Sequence, residues 1–277
     1  MTDTTSKPIL ILGGTGKTGR RLAERLTAQG VPVRIGSRSG SPRFDWEVPA
    51  TWGPAMQGVS AIYISYYPDI AVPGAADTVG AFARLAVASG ITRLVLLSGR
   101  GETEAQRAEE MVKASGADWT ILRCAWFSQN FSEGFLIESL LGGEVALPVG
   151  TVGEPFIDAD DIADAAFVAL TEQGHVGQLY ELTGPRLLTF ADAVAEIAKA
   201  AGRDIRYVKV SHDEFTTAMA AYELPPEITW LLNELFTEVL DGRNETLTDG
   251  VQRVLGRAPK DFSAYANETA ATGIWSN

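Results

Sequence analysis

Glycines at positions 13, 16 and 19 follow the apolar run Ile9-Leu10-Ile11-Leu12, and a helix-like pattern (Leu22, Leu26) begins directly after them. A strand that ends in a glycine turn and restarts as a helix aims backbone N–H groups and the positive end of a helix dipole at one point. That point suits a phosphate or pyrophosphate. The spacing is Gly-x-x-Gly-x-x-Gly, one residue longer between the first pair than the Gly-x-Gly-x-x-Gly of dehydrogenases. Gly16-Lys17-Thr18 also suggests a triphosphate loop, but that motif needs glycine at position 11, which is Ile. The expected chemistry is dinucleotide binding.

The next run, Val31–Gly36, reads as a second strand and ends at Ser37-Arg38. An acid at this place hydrogen-bonds the adenosine 2′-hydroxyl, whereas an arginine accommodates a 2′-phosphate. No acid lies between Gly36 and Asp45, so NADP(H) is expected in preference to NAD(H).

Other residues able to do chemistry are scattered. Tyr66 and Tyr67, and Trp126, Phe127 and Phe131, offer aromatic faces for a flat substrate; for Trp126 and Phe131 the alternative is core packing. Asn130 could bond a carbonyl or cap the following helix. Arg100 could steady developing negative charge or stand as a solvated loop residue. Cys124 sits at the end of an expected strand, where a small buried residue belongs, and reads as structural. His175 lies in a Gly-rich loop and is expected to be exposed; His212 opens a helix; neither shows a partner. Asp160, Asp161 and Asp164 read as a helix N-terminus, not a cation site, and no metal is expected.

These residues need a scaffold, and the chain spells one. Apolar runs at 60–65, 93–98 and 118–123 alternate with helical patterns at 74–89 and 103–115, and residues 44–58 suggest a further short strand and helix. Strands alternating with helices predict an α/β, Rossmann-like doubly wound parallel sheet. Beyond 128 the rhythm loosens. Helices are expected near 130–141, 159–172, from Thr189, and around 212–222 and 226–240, with strands at 178–183 and 205–210. The division expected is an NADP-binding Rossmann-like domain over 1–127 and a smaller α+β substrate lobe over 128–277, interlocked as one unit.

Composition narrows the partners. The 277 residues carry a net charge of −12, which disfavours nucleic acid and anionic membranes. No apolar run approaches the roughly 20 residues that span a bilayer. One cysteine allows no internal disulfide, which together with the absence of a signal-like N-terminus suggests a cytoplasmic protein. The expected partner is a small-molecule substrate; a homo-oligomer is left open.

Taken together the chain resembles the atypical short-chain dehydrogenase/reductases of the NmrA-like branch. The resemblance is carried by Gly13–Gly19, Gly36-Ser37-Arg38, Leu96–Glu102, Asp118–Arg123, Trp126–Phe131 and Tyr180–Pro185. Phe44-Asp45-Trp46 with Pro49–Trp52 looks like the subgroup of ergot-alkaloid reductases and bacterial natural-product tailoring proteins. The resemblance implies cofactor contacts at Gly13, Thr15, Gly16, Lys17, Thr18, Gly19, Ser37, Arg38, Ser65, Tyr66, Ser98, Cys124 and Ala125. It implies a substrate pocket at Tyr67, Trp126, Phe127, Asn130 and Phe131. The superfamily's Tyr-x-x-x-Lys proton relay would fall at Gln106 and Glu110, and no tyrosine occurs between 68 and 179. Catalytic candidates are thus Arg100, Gln106 and Glu110. Lys113 is expected to pair with Glu109 or Glu110. Without the relay, conjugated, quinone-like or iminium substrates are favoured over simple ketones. The expectation is an NADP(H)-dependent reductase. The alternatives are a dinucleotide-binding regulator that has lost catalysis, and a polyketide-tailoring catalyst, including oxygen-dependent chemistry.

Overall fold

The computed structural model describes residues 7–220 and 226–276. The chain begins with β1 (Ile9–Leu12), α1 (Lys17–Ala28), β2 (Val33–Gly36), α2 (Trp52–Met56), β3 (Ala61–Ile64), α3 (Ala75–Ala88), β4 (Arg93–Gly99), α4 (Thr103–Lys113) and β5 (Asp118–Cys124). There follow α5 (Ile137–Leu141), β6 (Glu144–Leu147), α6 (Ala159–Thr171), β7 (Gln178–Leu182), α7 (Phe190–Ala201), β8 (Arg206–Lys209), α8 (His212–Ala220), α9 (Pro226–Glu234), α10 (Gly250–Leu255) and α11 (Phe262–Ala271).

Every residue of β1 and β3 is buried, as continuous apolar runs require when helices cover both faces of a sheet. The sheet order is β2-β1-β3-β4-β5-β7, and β1 pairs in parallel with both β2 and β3, as β3 does with β4. A second sheet pairs β6 with β8 in parallel. The expected Rossmann-like architecture is therefore present.

Two compact units make up the fold. The first holds residues up to Arg123 together with Asp160–Glu181 and Arg253–Gly256, and the second holds Cys124–Ala159, Leu182–Gln252 and the residues from Arg257 on. This differs from a single boundary at 127. The β7 strand adds to the edge of the first sheet beside β5, and α6 is tied to α1: Arg25 Nη2 meets Asp160 Oδ1 at 3.0 Å and Arg25 Nε meets Asp164 Oδ1 at 2.5 Å. The acidic start of α6 thus has cationic partners besides its own helix dipole.

Of the short strand and helix expected over 44–58, the helix is present as α2 and the strand is absent. Phe44 and Trp46 both turn inward, their rings 5.7 and 5.3 Å from Phe82 on α3. Two aromatics two residues apart, both buried around a half-turned Asp45, fit a loop held by the Trp52 indole N–H, which donates to Asp45 O at 2.9 Å. In the second unit the helix expected at 130–141 breaks into a 3₁₀ turn, Ser128–Phe131, and the short α5. The helix start at Thr189 is as expected, sealed by a capping box with Asp192. Pro225 and any helix past Ala220 up to 225 lie outside the described residues.

Candidate functional site: the glycine turn and the strand ends

Gly13 adopts φ +66°, and Gly16 N donates to Gly13 O at 2.9 Å to close the turn. A Cβ on Gly19 would stand 2.3 Å from Gly13 O. Only glycine there lets α1 begin so close to the end of β1. Gly16 is the N-cap of α1, offers no side-chain cap, and the first turn holds no acid. The leading N–H groups of α1 thus keep their polarity for an outside anion. Thr15 and Gly16 are exposed and Lys17 half-buried beside them. This cradle fits the pyrophosphate of a dinucleotide. Thr18 differs from expectation: it is 4% exposed and its hydroxyl accepts from Tyr63 Oη at 2.9 Å, so its side chain faces the β3 core.

At the end of β2, Ser37 is half-buried and Arg38 exposed, the guanidinium 5.3 Å from the centroid of the Tyr67 ring. Tyr67 is 64% exposed. Arg38 and Tyr67 together form an exposed cation–aromatic pair beyond the ends of β2 and β3. Ser65 abuts the turn, its Oγ 3.1 Å from where a Gly13 Cβ would be. Tyr66 packs 4.9 Å from Trp46, and burial raises its phenol above the ordinary range. Asp69, whose carboxylate accepts from Ala71 N at 2.9 Å, is pushed up by burial and pulled down by the Lys17 ammonium.

A buried ionic network lies at the ends of β4, β5 and β7. Ser98 Oγ donates to Glu109 Oε1 at 2.6 Å, and Arg123 Nε donates to the same oxygen at 2.9 Å. Arg123 Nη1 stands 3.9 Å from Glu181 Oε2, and Arg100 pairs with Glu181. The hydrogen bonds to Glu109 hold the Arg123 guanidinium charged more firmly than usual. Arg100, expected in a solvated loop, is 6% exposed. The Ser98 hydroxyl, expected at the cofactor, donates to Glu109 instead. Gln106 and Glu110 are exposed on α4, and Glu110 meets Lys113 at 2.7 Å as expected. The charged residue of α4 turned inward is Glu109, which the sequence reading considered only as a partner for Lys113. A signal existed: Ala105, Ala108, Glu109 and Val112 share one buried helical stripe.

In the second unit, Cys124 and Ala125 are each 3% exposed, and Ala125 N donates to Leu182 O at 2.9 Å. Phe131 is fully buried, 5.5 Å from both Phe156 and Phe262. It belongs to that unit's core and not to a pocket wall. Phe127 is half-buried and bridges Ile157. Asn130 caps no helix; Gln129, buried, supplies a cap, its Oε1 accepting from Ala159 N at 2.7 Å. Trp126 is held between Phe190 and Phe236 at 5.5 and 5.6 Å. His175, back in the first unit, has a partner after all: its Nδ1 lies 2.9 Å from Tyr180 Oη, and burial lowers its pKa. No metal-ligating cluster occurs among the described residues.

A parallel sheet whose first strand feeds a glycine turn and an uncapped helix, with an arginine closing the second strand, defines a Rossmann-like dinucleotide-binding protein. A family model described as NAD(P)H-binding matches residues 13–173. The chain belongs to that family. It is 33% identical to "Uncharacterized oxidoreductase YesF" of Bacillus subtilis, over 97% of this chain and 98% of the relative. It is 30% identical to "Festuclavine synthase I" of Penicillium roqueforti, over 93% and 96%. Its fold matches that of the NADPH-dependent quinone oxidoreductase of Escherichia coli, with a TM-score of 0.78 and 23% identity over 94% of this chain and 99% of that one. The cofactor is thus a nicotinamide dinucleotide.

Proposed function

We propose that this chain is an NADP(H)-dependent reductase of a small conjugated compound (quinone-like, enone or iminium) in natural-product metabolism. The observation that carries the reading is α4, whose sequence TEAQRAEEMVK has no tyrosine and turns a paired glutamate inward. A simple ketone leaves an alkoxide on reduction and needs an acid; a quinone leaves a stabilised phenolate and an iminium a neutral amine, so solvent can complete either reaction. The bound nicotinamide supplies the hydride. The protein's own contribution begins with α1, whose N-terminus holds the pyrophosphate, and with Arg38, which holds the 2′-phosphate. The names of the relatives, a festuclavine synthase and a quinone oxidoreductase, support conjugated or iminium chemistry.

The test is NADPH oxidation with a panel of quinones, enones and cyclic imines. Turnover with at least one class is expected, and silence across the panel defeats the reading. The same missing tyrosine favours a second reading, a dinucleotide-sensing regulator. That reading requires NADP⁺ and NADPH to bind with clearly different affinity, and equal affinities by calorimetry would remove it.

A further inference from the structure

Four tryptophans are buried among the described residues (Trp46, Trp52, Trp126 and Trp275), and the indole N–H groups of the last three are treated differently. Trp52 Nε1 donates to Asp45 O at 2.9 Å, and Trp275 Nε1 donates to Phe131 O at 3.0 Å. Trp126 Nε1 is equally buried and has no hydrogen-bond partner among the described residues. An indole N–H taken out of water without an acceptor forfeits its hydration, and a phenylalanine would fill such a site without that cost. The Trp126 ring has Phe190 on one side, edge to face, and Phe236 on another.

The surroundings are built to hold that donor in place. Trp126 N donates to Glu154 Oε1 at 3.0 Å, and Ile157 N donates to Trp126 O at 2.9 Å, so the backbone is pinned from both directions. Its neighbour Phe236 lies in a π-helical turn, Leu235–Val239, closed by a bond from Leu240 N to Leu235 O at 3.0 Å. Such turns are rare, are less stable than the α-helix they interrupt, and recur at functional sites. Phe236 in turn touches Phe135, which is 38% exposed, with centroids 6.3 Å apart. Phe135, Phe236 and Trp126 thus form a series of packed rings that begins at the surface, and the middle ring sits on the π-helical turn.

We propose that the Trp126 indole N–H is the hydrogen-bond donor that recognises the carbonyl oxygen of a flat, conjugated substrate. This rests on the reductase reading and narrows it. An N–H donor suits a neutral quinone or enone oxygen and is poorly matched to a cationic iminium, so the carbonyl class is selected. During reduction the conjugated system accepts a hydride from NADPH, and the displaced electron pair moves onto the carbonyl oxygen. The indole hydrogen bond strengthens as that charge develops, while the indole keeps its proton. Water protonates the oxygen, and the products are NADP⁺ and the hydroquinone or enol. Trp126 is thus a recognition residue and not an acid.

The experiment compares menadione with 2-methylnaphthalene, which has the same rings and methyl group but no oxygen. Calorimetry in saturating NADP⁺ avoids turnover. Wild-type protein should bind menadione roughly tenfold or more tightly than the hydrocarbon. Trp126→Phe should lose about fivefold or more of the menadione affinity and leave 2-methylnaphthalene unchanged, a difference that a loss of packing does not produce. In ¹⁵N-tryptophan-labelled wild-type protein, the one indole N–H signal absent from the variant should shift downfield with menadione and stay still with 2-methylnaphthalene. The spectrum of the wild type decides the question even where the variant folds poorly. An unshifted signal, an equal loss for both ligands, or no preference for menadione in the wild type overturns the assignment. The reductase reading stands or falls separately, on NADPH oxidation across the panel.

Discussion

At the scale of single residues the proposed preference for NADP(H) rests on Arg38. Its guanidinium is exposed and stacked near Tyr67, so no carboxylate must be displaced before a phosphate can bind. Charge-assisted hydrogen bonds contribute about 1.5–3 kcal/mol each. Arg38→Ala should therefore weaken NADPH by roughly tenfold or more while changing NADH less than about twofold, as read by calorimetry; equal losses would show that Arg38 does not hold the 2′-phosphate. Residue type and its place just past the end of a strand are what single this arginine out in the sequence. For Thr18 the sequence could not show which way the side chain points. It lies in the glycine motif, but its side chain turns toward Tyr63 on the neighbouring strand, and one chain segment does not reveal its neighbour.

The elements explain the buried ionic network. β4, β5 and β7 bring Ser98, Arg123 and Glu181 together, and α4 lays Glu109, with no exposed surface, over them. A buried ion pair adds little beyond what it costs to desolvate, but removing one partner strands the other. Glu109→Gln should destabilise the protein by about 3 kcal/mol in urea unfolding, and the double change Glu109→Leu with Arg123→Met should recover most of it. If the double variant is no better than the single one, the network does more than satisfy its own charges. A second element-scale lesson concerns α4 itself. Its inward stripe of Ala105, Ala108, Glu109 and Val112 is a pattern of period 3.6, and counting four-residue steps from the helix end pointed to Gln106 and Glu110, one position off the face that counts.

Over the whole molecule, acid stability follows from where carboxylates are held. Arg186 bonds Asp261 at 2.7 Å and Glu196 at 2.7 Å, joining the loop before α7 to α7 and the start of α11. The guanidinium holds the Asp261 carboxyl far below the usual range, and the Thr189 cap lowers Asp192. A carboxyl whose folded pKa is depressed adds stability that is complete above its unfolded pKa and is lost as pH falls through the folded value. The melting temperature should therefore hold from neutral pH down to about pH 5 and fall below it, near and under the ordinary carboxylate pKa. Asp261→Asn should start lower at neutral pH and fall less on acidification; an undiminished fall would place the acid-sensitive groups elsewhere. What the sequence determined by itself was local. Apolar runs of strand length, helical spacing and a glycine turn between them fixed the alternating layers and the phosphate cradle, because each depends on residues within a few positions of one another. What only the tertiary structure decided was non-local: that β7 and α6 return to the first unit, that Phe131 is core, that Glu109 faces Arg123, and that the buried Trp126 indole N–H has no acceptor among the described residues. Burial and hydrogen-bond pairing belong to surfaces made by distant segments, and no spacing along one segment specifies them.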